Sequence, residues 1–418
     1  MKILAIHNYH RTGSASGDDQ VFKSETKLLE EHGHTVYRYS VSNDEFDNSS
    51  FLCKIGMTLG MIWSHKHYKT IVNMLNQCKP DLVHVHTFFP LLSPSILYAV
   101  KACNVPVVTT LHDTRFVCPC ATSLRDGQLC NLCGDGKYLR MCRYRCFKGS
   151  RLQSLWVSSV FKYHRWRRSF YNQIDKYICL NDMQIRLLKN IGFDENKIIK
   201  KYNFCPDAND HGLNQDGKSE QGRWIQDKGS GSETDNMPRL PERYVVFYGR
   251  IGEEKGLKIL MQVWNNLYSY NIPLVIMGSG PLEEDVRAWT DRHSNVFFLG
   301  YTEHDKCLSI VKKSQFVVFP SLWYEGCSMV EIETMSLGKG IIAFDLGFSS
   351  EAIINNINGR KVQIGDAEGF RYAVEQLWND SEFCLRLGRN ARRTYEENFQ
   401  PGMNYKQLIK IYEDLVRA

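Results

Sequence analysis

Residues 316–338 join a short apolar run to an amphipathic segment through a glycine turn. Phe316–Phe319 is apolar throughout, which is typical of a strand buried on both faces of a parallel sheet. After the turn at Gly326, residues 328–337 predict a helix, because their apolar members can form one buried side. A strand followed directly by a helix indicates an α/β fold, in which ligands bind outside the carboxyl ends of the strands.

Two carboxylates bracket this junction. Glu325 lies in the loop and Glu333 in the helix, with seven residues between them. Backbone N–H groups at a helix start attract anions, and carboxylates accept hydrogen bonds from hydroxyl groups. The junction therefore predicts a site for a polar, anionic ligand, although the spacing alone is also compatible with two solvated acids. The further contacts predicted at the helix start are Gly326, Cys327, Ser328, Met329 and Val330.

The wider pattern E-G-x-x-M-V-x-x-E-x-M-x-x-G, preceded by P-S-x-x-Y, resembles the E-x7-E signature of family 4 glycosyltransferases. These are retaining enzymes of the GT-B fold, with two Rossmann-like, doubly wound α/β domains facing across a cleft. The resemblance implies that Glu325 is a catalytic residue against the hydroxyls of the donor sugar. It implies that Glu333 binds the ribose of the nucleotide.

A glycine-bearing loop with two cations follows the predicted strand at residues 244–248. Arg250, Lys255 and the start of the next helix suit a diphosphate, although a solvated basic loop is the simpler alternative. The pattern G-R-x-x-x-E-K-G resembles the diphosphate-binding motif of the same family. The resemblance implies that Arg250 and Lys255 bind the donor.

The chain begins with a strand at residues 2–7, a loop at 8–19 and a helix at 21–32, which is a mononucleotide-binding pattern. The loop resembles the Gly-Gly-Glu-Asp loop of the family, which approaches the donor phosphate and sugar. Ser16 stands for the first glycine and Asp18 for the glutamate. Gly17 is therefore the donor-binding residue that this resemblance implies.

His112 follows another predicted strand, at residues 105–111. A histidine at the carboxyl end of a strand can contact a sugar hydroxyl or a leaving phosphate, or simply pack within its loop. T-L-H-D-x-R-x-x-C-P resembles the acceptor-domain motif of the family, which implies that His112, in preference to His84 or His86, is a catalytic residue. The neighbours expected to face the acceptor are Asp113 and Arg115.

Six of the fourteen cysteines fall between Cys118 and Cys146. Two close pairs with a short spacer match a structural zinc knuckle. The predicted zinc ligands are Cys130, Cys133, Cys142 and Cys146. Reduced cysteines packing a loop, a redox-labile disulfide and a metal-dependent protein-interaction module are the alternatives. The family resemblance implies no cofactor for catalysis, so zinc here would be structural.

Residues 152–171 mix apolar and basic side chains on one predicted helix. Such a helix suits an anionic membrane surface or a lipid-diphosphate acceptor, or is an ordinary surface helix with a core-facing side. Met1 runs directly into the first strand, and no apolar run is long enough to span a bilayer. We therefore expect a cytoplasmic protein, peripheral on the inner face of the plasma membrane.

A chain of 418 residues suits two domains. We predict an acceptor-side domain at 1–205 with a cysteine-rich loop at 118–146, a linker with a disordered insertion at 206–241, a nucleotide-sugar domain at 242–399, and a final helix at 400–418 that crosses back to the first domain. The net charge of +6 allows attraction to phosphates or anionic lipid. No nucleic-acid motif is present, so nucleic acid is not an expected partner.

The resemblance implies a retaining glycosyltransferase that moves a hexose from a nucleotide-diphosphate sugar to a saccharide acceptor. A lipid-linked acceptor in surface polysaccharide biosynthesis fits the basic, apolar helix. The alternatives are a GT-B nucleotide-sugar epimerase and a non-catalytic sugar-nucleotide-binding protein.

Overall fold

Two parallel six-stranded sheets organise the protein in a computed structural model that describes residues 1–12, 16–209 and 239–417. The strands of the first half are β1 (Lys2–Tyr9), β2 (Thr35–Ser42), β3 (Leu82–Thr87), β4 (Val107–Leu111), β5 (Leu124–Arg125), β6 (Gln128–Leu129), β7 (Lys176–Cys179) and β8 (Ile198–Lys200). Those of the second half are β9 (Val245–Tyr248), β10 (Leu274–Met277), β11 (Val296–Gly300), β12 (Phe316–Phe319), β13 (Gly340–Phe344) and β14 (Arg360–Val362).

Helices cover both sheets. In the first half they are α1 (Gly17–Glu31), α2 (Asp44–Asp47), α3 (Phe51–Gly60), α4 (His65–Cys78), α5 (Ser95–Ala102), α6 (Arg140–Tyr144), α7 (Arg151–Trp166), α8 (Ser169–Asn172) and α9 (Asp182–Asn190). In the second half they are α10 (Leu257–Asn266), α11 (Glu283–Thr290), α12 (His304–Lys313), α13 (Met329–Ser336), α14 (Phe348–Ala352), α15 (Ala367–Asn379), α16 (Ser381–Asn398) and α17 (Pro401–Arg417).

The strand orders are those of two doubly wound domains. The first sheet runs β2-β1-β3-β4-β7-β8 and the second β11-β10-β9-β12-β13-β14, while β5 and β6 form a separate antiparallel hairpin. In each sheet the order reverses beside the first strand, which opens a crevice at the carboxyl ends. The predicted α/β fold with two Rossmann-like domains is confirmed. The domain boundaries stay predictions, and residues 210–238 of the expected linker lie outside the described residues.

Helix α1 begins earlier than the sequence pattern predicted. Ser16 Oγ accepts a hydrogen bond from the backbone N–H of Asp19 at 3.3 Å, which caps the helix. Asp18 and Asp19 then occupy the first turn, where the helix dipole favours negative charge. Gly17 therefore lies in the first turn of α1 and not within a loop.

The last helix, α17, lies on the first sheet. Leu408, Ile411, Tyr412 and Leu415 share an apolar cluster with Ile3, Leu82, Val108 and Ile178. Apolar burial of this kind stabilises the attachment of the helix to a sheet whose contacting residues lie more than two hundred positions earlier in the sequence. In the part of the chain that the structure describes, no helix is both long and apolar enough to cross a bilayer.

Helix α13 buries a carboxyl group, Glu331, that the sequence patterns did not single out. Its side chain is fully buried, and neither carboxyl oxygen has a well-formed hydrogen bond within the described residues. Burial raises the pKa of Glu331 to about 8, and the nearby Glu325 charge adds to the effect. The folded protein therefore keeps a proton on Glu331 at neutral pH that the unfolded chain releases.

Replacing Glu331 with Gln should stabilise the fold more at pH 7 than at pH 5. Folding raises the pKa of Glu331, so the free energy of unfolding of the wild-type protein falls as the pH rises between about pH 4.5 and pH 8. A glutamine at this position does not titrate and adds no such dependence. We expect the advantage of the Glu331→Gln variant to grow by about 2 kcal/mol between pH 5 and 7 in urea unfolding. Glu368→Gln, on an exposed site of α15, is the control, and an equal difference at both pH values would contradict the prediction.

Candidate active site

The structure places Lys255 against Glu325. Lys255 Nζ lies 2.5 Å from Glu325 Oε1, and Ser321 Oγ donates to the same oxygen at 2.9 Å. The Lys255 ammonium also lies 5.0 Å from the centre of the Trp323 ring. Both charged side chains are largely buried, so their attraction is screened little by water. The lysine predicted to bind phosphate and the carboxylate predicted to bind sugar are thus neighbours.

Gly256 allows the Lys255 loop to approach the end of β12. Its φ is +75°, and a Cβ at this position would lie 1.9 Å from the carbonyl oxygen of Pro320. Only glycine fits such a contact, since the clash is with backbone. The two loops therefore meet directly, and the backbone N–H of Leu322 donates to the Glu254 carbonyl at 2.8 Å.

Arg250 lies in the same loop but does not contact Glu325. Its side chain is about half exposed, and its Nε lies 3.5 Å from Glu254 Oε1. The loop thus carries an exposed guanidinium and a buried ammonium, both of which are groups that bind phosphate.

Glu333 lies further along α13 and is buried beside Tyr248, the last residue of β9. Burial raises its pKa to about 8, and the Tyr248 hydroxyl opposes the shift through a hydrogen bond. His304 Nε2 lies 3.6 Å from Glu333 Oε1. A protonated Glu333 can both donate to and accept from a hydroxyl group at the carboxyl end of β9.

The Glu325 loop is held by the first domain. Asn181 Nδ2 donates to the carbonyls of Glu325 at 2.8 Å and Gly326 at 2.7 Å. Asn203 Nδ2 donates to the next carbonyl, that of Cys327, at 3.3 Å. The position of Asn181 two residues after the end of β7 is a signal that it lies at the cleft, but its partners are more than a hundred residues away and the sequence patterns did not identify them.

Gly326 permits a close approach between the domains. A Cβ here would lie 3.1 Å from the His112 carbonyl oxygen and 3.1 Å from Gln184 Nε2. Gly17 also faces the second domain, because its Cβ position lies 3.6 Å from Met329 Cγ at the start of α13. The loop of Glu325 and the segments of His112 and Gly17 therefore meet at one cleft.

The start of α13 is arranged as the pattern predicted. Ser328 is the N-cap, and its Oγ accepts from the Glu331 N–H at 3.4 Å. The N–H groups of Met329 and Val330 belong to the first turn, where an α-helix has no partner for them. The Cys327 thiol instead accepts from the Asn203 N–H at 3.3 Å, so this side chain is turned toward the first domain.

His112 is buried between the cleft and two further histidines. Its Nε2 lies 3.1 Å from His86 Nδ1, and its Nδ1 lies 3.8 Å from Asp18 Oδ1. Burial lowers the pKa of His112, against the opposing charge of Asp18. His84 lies deeper, beside Glu25 and Tyr412.

A pocket of about 380 Å³ opens beside His112. Asp113 and Arg115 contribute a charged pair, with Arg115 Nη2 3.1 Å from Asp113 Oδ2. The Arg115 guanidinium lies 4.9 Å from the centre of the Phe89 ring. Phe88 and Phe116 complete an aromatic lining, and apolar walls with a few polar groups are typical of ligand sites.

The cysteine-rich loop groups its thiols differently from the predicted set. The Cys120 thiol is hydrogen bonded to those of Cys118 and Cys146, and Cys133 lies near both. All fourteen cysteines are free. Among the described residues, the possible metal ligands whose atoms all lie within 4.8 Å of one another are Glu25, His84 and His86, and the cysteines do not meet that limit. The zinc ligands Cys130, Cys133, Cys142 and Cys146 stay a prediction.

Two family models match the chain in sequence. "Glycosyltransferase Family 4" matches residues 20–205, and "Glycosyl transferases group 1" matches residues 234–394. The chain is 28% identical over 181 residues to O-antigen chain mannosyltransferase C of Escherichia coli, which is 42% of this chain and 48% of that protein. It is 30% identical over 165 residues to the D-rhamnosyltransferase WbpZ of Pseudomonas aeruginosa, which is 38% of this chain and 42% of that protein. The chain thus spans about half the length of the curated relatives it matches, or less.

A solved structure shares the whole fold. The Anabaena protein HepE, in complex with UDP-glucose, is 15% identical and superposes with a TM-score of 0.62 over 99% of this chain and 100% of its own. The matches of both halves of the chain, and its two facing Rossmann-like domains, show that it belongs to the group 1, family 4 glycosyltransferases of the GT-B fold.

Proposed function

We propose that the protein is a retaining glycosyltransferase that moves a hexose from a nucleotide-diphosphate sugar to a lipid-linked saccharide acceptor in surface polysaccharide assembly. The observation that carries the proposal is the 2.5 Å contact of Lys255 with Glu325, beside the Glu325–Gly326 segment that Asn181 holds at the cleft. The two relatives, an O-antigen chain mannosyltransferase and a D-rhamnosyltransferase, support a hexose and a surface polysaccharide. The UDP-glucose complex of HepE supports a nucleotide-sugar donor.

The cations would act on the leaving diphosphate. As the bond to the sugar breaks, negative charge builds on the phosphate, and Lys255, Arg250 and the start of α13 stabilise it. A phosphate that draws Lys255 toward itself frees Glu325 Oε1 to accept from sugar hydroxyls. Donor binding would thus separate two charges that are paired with each other in the structure.

The remaining groups would position the sugar, ribose and acceptor. Glu333 would hold the ribose, and His112 the sugar at the reacting face. In a retaining mechanism of this kind, the leaving phosphate itself takes the proton of the acceptor hydroxyl, so no protein base is required. The aromatic pocket with Asp113 and Arg115 would receive the acceptor.

Lys255→Ala and Glu325→Ala should each lower turnover at least about tenfold, because a charged contact made in the transition state contributes more than about 1.4 kcal/mol. Transfer is measured with a panel of nucleotide-diphosphate hexoses, and NMR assigns the anomeric configuration of the product. Lys258→Ala is the matched control, since Lys258 is exposed and pairs with Glu253. Wild-type rates in the Lys255 or Glu325 variant would count against the assignment.

The same assay separates the alternatives. An epimerase would convert the donor sugar with no acceptor present. A non-catalytic binding protein would bind donor and yield no product. A transferred sugar with inverted configuration would exclude the retaining mechanism.

An apolar and basic surface on α3 and α7 supports membrane association. Leu152 and Trp166 on α7 are 79% and 74% exposed, and Phe51 and Leu52 on α3 are equally exposed. The two helices are joined, since Trp156 Nε1 donates to the Thr58 carbonyl at 3.0 Å. Neither helix contains an acidic residue, so the charge on this surface is complementary to anionic lipid. The opposite side of α7 packs in the core of the domain. The helix therefore has the core-facing side of an ordinary surface helix together with an exposed apolar and basic side that suits a membrane.

Vesicles of anionic lipid should retain the protein, whereas neutral vesicles should retain much less of it. A Leu152→Ser, Trp166→Ser double variant should lose most of this binding in a flotation assay, because it removes the apolar anchors and keeps every charge. Tyr372→Ser, an exposed aromatic site on α15, is the control. Equal binding of the double variant and wild type would exclude this surface.

The free cysteines support a reducing compartment, so we place the protein on the cytoplasmic side.

We also propose a structural zinc ion in the loop at 118–146. The Cys120 thiol lies near those of Cys118 and Cys146, and the N–H of Cys130 donates to the Ser123 carbonyl at 2.8 Å.

Metal analysis of the purified protein should find about one zinc per chain, since four thiolates fill a closed structural site. Cys133→Ser should lower the metal content and the melting temperature, whereas Cys53→Ser, an exposed cysteine of α3, should change neither. Metal-free protein with unchanged stability in chelator would overturn the zinc proposal.

A further inference from the structure

A buried series of side chains leads from the interior of the first domain to His112. Glu25 Oε1 lies 3.1 Å from His86 Nε2. On the other side of that ring, His86 Nδ1 lies 3.1 Å from His112 Nε2. The far nitrogen of His112, Nδ1, lies 3.8 Å from Asp18 Oδ1 at the cleft. The first three side chains are almost fully buried, so water does not compete for these contacts.

Glu25 is a fixed negative charge at the inner end. Burial would raise its pKa, but the Lys201 ammonium and the two imidazoles outweigh this and hold the pKa of Glu25 well below its usual value. Lys201 Nζ lies 3.0 Å from Glu25 Oε2. The imidazoles of His84 and His86 approach Oε1 at short distance but outside the angle of a good hydrogen bond, so their attraction is mainly electrostatic. Because the Lys201 ammonium already occupies the carboxylate, the Glu25–His84–His86 group is poorly suited to a metal cation.

The charge on Glu25 decides where the proton of His86 lies. Burial, together with the neighbouring His84, holds the pKa of His86 well below its usual value, so the ring is neutral and carries one proton. At 3.1 Å the negative charge of Glu25 Oε1 repels a lone pair on Nε2 and attracts an N–H there, even away from the ideal hydrogen-bond angle. The proton therefore lies on Nε2, and Nδ1 is an acceptor.

The position of the proton on His86 determines the position of the proton on His112. The acceptor His86 Nδ1 requires a proton on His112 Nε2. His112 is also neutral, because burial lowers its pKa. The other nitrogen of His112, Nδ1, then carries a lone pair and lies 3.8 Å from Asp18 Oδ1. Two acceptors 3.8 Å apart repel each other unless a donor group lies between them.

We propose that Glu25 and His86 are positioning residues that hold His112 with its proton on Nε2, so that His112 Nδ1 and Asp18 form a paired acceptor for a sugar hydroxyl in the cleft. The nature of the ligand rests on the proposed function, whereas the proton arrangement does not. A hydroxyl is a fitting occupant, since its one proton can be shared between the two acceptor atoms, His112 Nδ1 and Asp18 Oδ1.

Two substitutions of His86 form a matched pair. In His86→Asn the amide oxygen replaces Nδ1 as an acceptor, and in His86→Leu no acceptor remains. Nitrogen NMR of protein labelled at histidine reports which ring nitrogen bears the proton, and loss of a signal in His112→Gln assigns His112. We expect the Nε2-protonated form in wild type and in His86→Asn, and a mixture of both forms in His86→Leu. A wild-type His112 protonated on Nδ1, or no change in His86→Leu, would overturn the proposal.

Turnover supplies the second measurement. His86→Leu should lower kcat at least about tenfold with less change in KM for the donor, and His86→Asn should recover most of it. Melting curves establish that each variant is folded, and if His86→Leu is not, Glu25→Gln provides the same test by removing the charge that fixes the tautomer. The NMR result requires no donor, so a protein with the expected tautomers and no transferase activity would refute the proposed function alone.

Discussion

The donor loop is built by one domain and held by the other. Glu325 follows a strand of the second sheet, yet its carbonyl and that of Gly326 are bound by Asn181 of the first domain. A second link lies close by, where Glu351 of α14 accepts from Tyr202 Oη at 3.1 Å and pairs with Lys200 Nζ at 2.8 Å. Since buried carbonyl groups need hydrogen-bond partners, separating the domains would leave this loop without its support. The geometry around Glu325 therefore depends on the closed arrangement of the two halves.

Much of this site was predictable because its residues lie where strands end. Apolar runs followed by glycine turns locate β12 and β9, and Glu325 and Lys255 come after them, so local patterns place both residues at one edge of the sheet. The contacts of Asn181, Lys201 and His86 were not predictable in this way. Lys201 Nζ contacts Glu25 and Asn404 Oδ1, each about two hundred residues away in sequence. The periodicity of apolar residues does not predict contacts between such distant side chains. The start of α1 was missed for a different reason, since the capping residue Ser16 was weighed only as part of a phosphate loop.

Three buried glutamates have different pKa values because their surroundings differ. The Lys201 ammonium and two imidazoles keep the pKa of Glu25 low, whereas burial dominates at Glu331 and Glu333 and raises their pKa values to about 8. Glu25 thus supplies a permanent charge behind His112. Glu331 and Glu333 are neutral carboxylic acids within α13, and the charges of Glu325 and Lys255 act on Glu331. The second domain therefore combines a charged Glu325 in its loop with uncharged Glu331 and Glu333 in the helix that follows. The two neutral acids limit the negative charge that faces a phosphate.

The position of α17 has a consequence for biosynthesis. Ile3, Leu82 and Val108 of the first sheet are covered by Leu408 and Tyr412, and the Tyr412 hydroxyl lies 2.6 Å from His84 Nδ1. During translation these strands leave the ribosome long before their cover exists, so the first domain keeps an open apolar face while the whole second domain is synthesised. The hydrogen bond between Tyr412 and His84 cannot form until α17 has been synthesised, and nascent chains at that stage expose the kind of apolar surface that chaperones bind.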